Sequence, residues 1–529
     1  MNLLCVPIAV DAPDMVGLAL ERAHSAASRG ANLLEWRVDA LAEDPQALGA
    51  IRRLVRESPL PSIVTIRTAS EGGLYDGDDT DRVSLIEAIG TSDDPPRYLD
   101  VEWASYSRSA NLAQKIDLVV EHPAQVRPIE TRLILSMHDL EGRPRDLLQR
   151  IAAMAHEPAC AMVKVAWRAR SIRDNLEMFD LLAERPKPMA AMGLGPFGLM
   201  SRVLSPKFGG FMSYAALEAD LATAEGQPTI EELLETYRYR SIGPATEVYG
   251  VIGWPVGHSK SPVFHNAAFA SRGRDAVLVP MPIAPGWEPF KASLGAMLDH
   301  PRLGFRGAAV TIPHKEHLLR FVEERGGEIE PLAARIGAAN TLLVRADGSL
   351  VAANTDAPAA AEALAIGFGL DPSALDASSF AGRRLAVLGA GGAAAAIAAG
   401  LAMHGATVVV ANRTKERAEA LAERLRAAGE GRWRISAAGL DSLACGCFHA
   451  FVNATPVGLE GGPDPDGSPL PEDVGLDDSI VVFDTVYAPE RTPLLAEAAS
   501  RGAKVVGGLE MFTRQAARQQ RLFSTDDAC

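Results

Sequence analysis

From Asn2 to about Tyr239 the chain repeats one unit, a short apolar and β-branched run followed by a longer amphipathic stretch. That repeat narrows the fold sharply. Parallel strands cannot be joined by tight turns, so each needs a crossover long enough for a helix, and each helix must bury its apolar stripe on the sheet. Eight strand candidates are legible: Leu3–Val10, Leu33–Val38, Ser62–Arg67, Arg97–Glu102, Arg132–Met137, Ala161–Ala166, Pro188–Met192 and Gly210–Ser213. Eight successive βα units predict a TIM (β/α)8 barrel over residues 1–240.

The stretch RSIGPATEV then breaks the periodicity, and 241–247 reads as a linker. A second α/β pattern restarts with strands expected at Tyr249–Ile252, Val277–Met281, Gly307–Ile312 and Ala339–Val344, placing one lobe at 248–357. A separate βαβ unit opens at Arg384, so 358–508 is expected to be a Rossmann lobe. The last segment, 509–529, has helical spacing and is expected to return to the first of these lobes. A chain of 529 residues is long enough for several cores.

A formal net charge of −15 argues against nucleic acid or an anionic membrane surface as partner, since either would need a basic face. Five cysteines without framework spacing, and a Cys445-Gly-Cys447 pair lacking a second ligand pair, give neither a disulfide scaffold nor a metal site. The N-terminal apolar run has no basic flank and reaches Asp11 early, so it reads as a strand and the expected compartment is the cytoplasm. Oligomeric state is not readable from the sequence.

Active sites of barrels lie at the C-terminal strand ends, where this chain concentrates its charge. Glu35 and Arg37 close the second strand, and Arg67 closes the third with Glu71 in its loop. Glu102 closes the fourth and His138 the fifth, Lys164 interrupts the sixth, and Arg202 follows the seventh. Singly, a strand lysine can snorkel and a histidine can be structural. Together they point to amine chemistry: an ammonium desolvated near Arg37, Arg67 or His138 would have its pKa lowered and could attack a carbonyl.

The motifs EWRVD, TIRTASEGG, LSMHD, VKVA and SRVLSPKFGG resemble those of the type I 3-dehydroquinate dehydratase family. The resemblance implies that Lys164 forms an imine with the substrate ketone and that His138 moves the protons. It makes Glu35 a partner of His138 and of substrate hydroxyls, and Arg37, Arg67 and Arg202 the binders of carboxylate and hydroxyl groups. Gln227 resembles the glutamine of a closing loop. Thr223 stands four residues before it, where the family usually has serine.

In the second half, Ser259 and Ser261 flank Lys260 before a proline-started helix in VIGWPVGHSKSPVFHNAAF. They suit either a carboxylate or an ordinary helix cap. Thr311 and Lys315 lie in GAAVTIPHKEH, Asn340 in GAANTLL and Asp356 in AANTDAPA. These motifs resemble shikimate dehydrogenase. The resemblance implies a Lys315–Asp356 dyad for proton transfer during hydride transfer, and Asn340 on ring hydroxyls. Where the family has asparagine before VTIPHK this chain has Ala309, and Ala357 replaces the glycine after the aspartate.

A glycine turn, Gly389, Ala390, Gly391, Gly392 and Ala393, joins an apolar strand to an Ala-rich helix, as pyrophosphate-binding turns do. The next strand ends in Asn412, Arg413 and Thr414, followed by Arg417, where NAD binders place a carboxylate. A guanidinium there suits a 2′-phosphate and favours NADP(H). By resemblance Asn453, Thr455, Gly508 and Met511 lie by the cofactor, and Tyr487 and Gln515 by the substrate. The expectation is a bifunctional enzyme acting on 3-dehydroquinate, 3-dehydroshikimate and shikimate. An NAD-preferring quinate/shikimate dehydrogenase second half, or a non-catalytic ligand sensor, remain as alternatives.

Overall fold

The computed structural model describes residues 2–123, 128–444 and 447–524. The chain divides into two compact units: Met1–Val248 with Phe269–Pro282 and Ser293–Gly304, and Tyr249–Ala268 with Ile283–Ala292 and Phe305–Cys529.

The first unit carries eight parallel strands: β1 (Leu3–Ala9), β2 (Leu33–Arg37), β3 (Ser62–Thr65), β4 (Tyr98–Glu102), β5 (Arg132–Asp139), β6 (Cys160–Arg168), β7 (Met189–Leu194) and β8 (Met212–Tyr214). They are ordered β7-β6-β5-β4-β3-β2-β1-β8. The seam between β7 and β8 is bridged by the Phe211 N–H donating to the Met189 carbonyl at 2.8 Å.

Side chains along a strand alternate between faces, so inward residues recur every second position. One inward layer is apolar: Leu33, Ile63, Tyr98, Ile134, Met162, Ala190 and Met212 pack together. Two residues further along the same strands come Glu35, Thr65, Asp100, Ser136, Lys164, Met192 and Tyr214. Two further still come Arg37, Arg67, Glu102, His138, Ala166 and Leu194. The barrel interior therefore changes from hydrocarbon to charge toward its C-terminal mouth.

The strand β10 (Ala276–Pro282) counts with this first unit. Here Lys207 donates to the Pro244 and Thr246 carbonyls at 2.9 and 2.8 Å, so the stretch read as a linker is tied down.

In the second unit β9 (Glu247–Gly253), β11 (Phe305–Val310), β13 (Thr341–Val344), β14 (Leu350–Ala353) and β12 (Glu328–Ile329) are successive neighbours of one sheet. β13 runs antiparallel to both β11 and β14. Neither β12 nor β14 was expected from the sequence, the first being two residues long and the second Leu-Val-Ala-Ala.

A second, wholly parallel sheet contains β15 (Arg384–Leu388), β16 (Thr407–Ala411), β17 (Arg434–Ala438), β18 (Ala450–Asn453), β19 (Val481–Asp484) and β20 (Lys504–Val506). Its order, β17-β16-β15-β18-β19-β20, reverses direction between β15 and β18. That is the doubly wound Rossmann order, whose ligands sit at the reversal. Two Ala-rich helices, Asp356–Gly367 and Gly392–Met403, form much of this core. The last helix, Gly508–Ser524, brings Phe523 against Tyr249 and Gln519 onto the Asn340 carbonyl.

Candidate active sites

In the barrel mouth Lys164 donates to Glu35 Oε1 at 2.8 Å and to Asp100 Oδ2 at 2.9 Å, with all three side chains buried. The sequence placed this ammonium among cations; the structure places it between two carboxylates. Asp100 sits one inward position below Glu102 on β4 and also accepts from Arg67 at 2.9 Å. Burial works against its charge, but Arg67 and Lys164 hold the Asp100 carboxyl well below its ordinary value. Glu35 is likewise lowered, burial being outweighed by Lys164 and Arg37. Burial also disfavours the Arg67 charge, yet Asp100 and Glu102 hold this guanidinium above its usual range.

His138 is not paired with Glu35, whose other partner is the Thr65 hydroxyl. The carboxylate at His138 is Glu71: its Oε2 accepts the His138 backbone N–H at 2.9 Å and lies 3.1 Å from Nδ1. Burial, then Arg67 and Lys164, push His138 well below its ordinary value, which favours the neutral ring. Burial pushes Glu71 up to about 7, against the pull of Arg67. Glu102 does a different job, accepting from Arg82 at 3.0 Å and from the Thr68 N–H at 2.8 Å. Arg37 is held by Asp39 at 2.6 Å.

Arg202 is the exception among these cations. It is 2% exposed and donates to Met192 Sδ at 3.7 Å, while its Nε finds no partner among the described residues. Burial lowers it to about 10. Glu35, Arg37, Arg67, His138, Lys164 and Arg202 all line one cavity of about 240 Å³, as do Thr223 and Gln227. Gln227 Oε1 accepts the Thr223 N–H at 3.0 Å, joining these two lining residues.

In the second unit Lys315 lies 2.6 Å from Asp356 Oδ2. Asn340 donates to Asp356 Oδ1 at 2.9 Å and to Gln515 Oε1 at 3.3 Å, and accepts the Thr355 N–H at 2.9 Å. Asp356 is fixed from behind as well: Asn354 Oδ1 accepts its N–H at 3.0 Å and that of Ala357 at 3.1 Å, capping the helix it begins. Asn354 and Gln519 were not singled out from the sequence. Thr311 ends this strand region, and its carbonyl accepts the His314 N–H. Ser261 is buried at its helix start with its N–H on Ser259 Oγ at 3.2 Å. Burial raises the Tyr487 phenol, with Ser259 and Lys260 opposing. Ala309 faces Thr341 across β11 and β13.

The glycine turn sits at the sheet reversal. Gly389 has φ +118°, and a Cβ there would lie 3.0 Å from the Ala454 carbonyl, so glycine is required. A Cβ on Gly391 would project into open space at the start of the helix Gly392–Met403, the room a phosphate needs against free N–H groups. A Cβ on Gly392 would meet Lys315 Cβ at 3.1 Å, so this turn packs directly on the lysine of the dyad. Ala390 and Ala393 flank it.

At the end of β16, Arg413, Thr414 and Arg417 are exposed, and Asn412 caps the Thr414 carbonyl at 2.9 Å. Lys415 pairs with Glu419, whereas no carboxylate lies within ion-pair distance of Arg413 among the described residues. Asn453 and Thr455 bond each other, and Asn453 also donates to Asp484 at 2.9 Å. Gly508 is buried against the Thr485 and Val486 carbonyls, and Met511 joins the adjoining core.

Residues 4–244 match the model of type I 3-dehydroquinase. Residues 251–342 match the shikimate dehydrogenase substrate binding domain, and 373–435 match shikimate / quinate 5-dehydrogenase. A bifunctional 3-dehydroquinate dehydratase/shikimate dehydrogenase, chloroplastic, of Arabidopsis thaliana is 36% identical over 99% of this chain and 82% of its own length. A shikimate dehydrogenase (NADP(+)) of Methanocella arvoryzae is 40% identical over 52% of this chain and 93% of its own. A solved dehydroquinate dehydratase and shikimate dehydrogenase structure from S. pombe covers 99% of this chain and 96% of its own at 25% identity, TM-score 0.39. With both halves matched in order along one polypeptide, the chain belongs to the family of bifunctional 3-dehydroquinate dehydratase/shikimate dehydrogenases.

Proposed function

We propose that the barrel, residues 1–240, dehydrates 3-dehydroquinate to 3-dehydroshikimate, and that the remainder reduces this product to shikimate with NADPH. The observation that carries the reading is one cavity holding a carboxylate-held lysine, a histidine beside Glu71 and an arginine without a carboxylate partner among the described residues. Each meets one demand of the substrate, a ketone beside an acidic C–H with a carboxylate across the ring.

Arg202 binds the substrate carboxylate, because a desolvated guanidinium gains most from a bidentate anion. Lys164 gives up a proton to His138 and attacks the ketone; His138 returns that proton to the carbinolamine oxygen, which also takes one from the nitrogen and leaves as water, so the iminium forms and His138 is neutral again. Glu35 and Asp100 remain beside the iminium charge and stabilise it. His138 then takes the α-proton and returns it to the departing hydroxyl, so one water is lost overall. Hydrolysis of the imine frees the product and restores Lys164. Arg37 and Arg67 hold the hydroxyl side of the ring, and Thr223 with Gln227 shield the cavity from solvent.

In the second half Lys315 and Asp356 move the proton to the carbonyl oxygen, with Asn340, Gln515, Thr311, Tyr487, Ser259 and Ser261 positioning the ring and its carboxylate. The turn Gly389–Ala393 and the Arg413 region fit a dinucleotide, with Asn412, Thr414, Arg417, Asn453, Thr455, Gly508 and Met511 around it. When bound, NADPH supplies the hydride. Arg413 in place of a carboxylate speaks against an NAD-preferring site. No helix among the described residues is long and apolar enough to cross a membrane. A cytoplasmic location is supported by the free thiols of Cys5, Cys160 and Cys447.

The test is a coupled assay with 3-dehydroquinate and NADPH on three proteins. Wild type forms enone and consumes NADPH. Lys164→Ala loses dehydration but still reduces added 3-dehydroshikimate; Lys315→Ala does the reverse. Loss of both activities in either variant would refute two separate sites.

A further inference from the structure

Tyr214 is a polar residue of the barrel cavity to which the steps above give no task. Tyr214 ends β8 opposite Cys5 of β1 and lines the cavity with Arg202, His138 and Lys164. The Lys164 ammonium sits over its ring, 4.5 Å from the centroid. The residue is 4% exposed, yet its hydroxyl has no hydrogen-bond partner among the described residues. Burying an O–H without a partner costs its desolvation, so phenylalanine would be the cheaper side chain here unless the hydroxyl has an acceptor to meet. Trp36 and Trp167 also carry buried, unpartnered Nε1 atoms, but neither lines the cavity.

Two features fix what that acceptor is. Burial pushes the Tyr214 phenol well up, so it keeps its proton at neutral pH and can only offer a neutral donor or a lone pair. Arg202 lines the same cavity, and its Nε is likewise buried with no partner among the described residues. Two buried donors of one cavity, the Tyr214 hydroxyl and Arg202 Nε, without an acceptor among the described residues call for an anion with more than one oxygen.

We propose that Tyr214 is a substrate-binding residue of the dehydratase site, its hydroxyl donating to the carboxylate that Arg202 clamps while its ring face carries the Lys164 cation. The inference rests on the dehydratase reading and adds to it a residue that spans both ends of the substrate. The same ring lies under the nitrogen before and after it becomes an iminium, so the aromatic face serves the charge in both states. The hydroxyl serves binding.

Removing only the oxygen separates the two roles. In the full-length protein Tyr214→Phe should raise KM for 3-dehydroquinate about tenfold, with kcat changed less than about threefold. Reduction of 3-dehydroshikimate should be untouched, which reports on folding. Borohydride should still trap the substrate adduct on Lys164. Combined with Arg202→Lys, the two effects should fall short of multiplying, since both act on one carboxylate. An unchanged KM, or fully multiplicative effects, overturns the proposal. A wild-type enzyme that forms no reducible adduct overturns the dehydratase reading and this proposal together, whereas an adduct with unchanged KM overturns this proposal alone.

Discussion

Replacing Glu71 by glutamine should stabilise the protein at pH 8 while damaging its dehydratase activity. Glu71 follows β3 in a short turn, its side chain 10% exposed, and burial lifts its carboxyl from the ordinary 4.5 to about 7. Each tenfold preference for the proton is about 1.4 kcal/mol, so carrying Glu71 ionised costs the fold about 3 kcal/mol. The folded state still holds this proton when the unfolded chain has released it. Stability from this group is therefore full below pH 4.5, falls as pH rises toward 7, and stays lost above. Glutamine cannot ionise and escapes the loss. Glu35 and Asp100, whose carboxyls are lowered, give the opposite slope but do so in both proteins, so they cancel in the difference. Hydrogen exchange of the Leu133–Leu135 amides on β5 reads the difference locally. The variant should match wild type near pH 4.5 and exceed it by about 3 kcal/mol at pH 8. In activity, wild-type dehydration should decline as pH drops through about 7, when Glu71 stops acting as an anionic acceptor for His138 Nδ1. The Glu71→Gln enzyme should be slow with that inflection gone. A stability difference that does not vary with pH would refute the reasoning.

Two other substitutions test single links. Arg413→Ala removes an exposed cation with no carboxylate partner among the described residues. It should raise KM for NADPH by roughly tenfold or more while leaving NADH unchanged, since a charge-assisted bond to a phosphate is worth about 1.5–3 kcal/mol; equal changes for both cofactors would count against it. Asp100→Asn leaves Lys164 and Arg67 with one buried carboxylate fewer. Breaking a buried pair costs about 3–5 kcal/mol, so the barrel should lose much of its stability and its dehydration, and retained dehydration would show that Glu35 alone holds the lysine.

What could be read from the sequence follows from range. The barrel was legible because apolar, β-branched runs are a local signal, and all eight strands lie on the runs that suggested them. The charged strand ends followed, since inward residues two apart change from Leu33 to Glu35 and from Ile63 to Thr65 to Arg67. Partners across the barrel were not legible, because they depend on how neighbouring strands are staggered. Lys164 and Glu35 are 129 residues apart, and Glu71 rather than Glu35 reaches His138. Asp100 did leave a signal. In YLDVE it is inward with Tyr98 and Glu102, and a buried aspartate in an apolar strand requires a cation. The short β12 and the alanine-containing β14 left none, having neither length nor β-branched character. Asn354 was not singled out from the sequence, because its capping of that helix needs the three-dimensional turn.

Ala357 tests how tightly the second site depends on packing. It stands where the family has glycine, fully buried in the first turn of the helix that begins at Asp356. Across from it, Gly400 lies in the interior of the helix Gly392–Met403. A methyl on Gly400 would overlap the Ala357 carbonyl oxygen and lie 3.0 Å from its carbonyl carbon and 3.2 Å from its Cα. Two effects compete in Gly400→Ala. Helix propensity alone favours alanine by about 1 kcal/mol. Overpacking costs about 1–3 kcal/mol, and here the obstacle is backbone, which has no rotamer to move aside. The clash should win. Relief requires the two helices to separate, which shifts Asp356 relative to Lys315 and the glycine turn relative to both, because Gly392 packs on Lys315. A displacement of about 1 Å can slow a reaction that depends on alignment by roughly a hundredfold. Gly400→Ala should therefore lower reductase kcat strongly while dehydration continues, although neither Gly400 nor Ala357 supplies a reacting group. Unchanged reduction with raised stability would mean that propensity outweighs the contact.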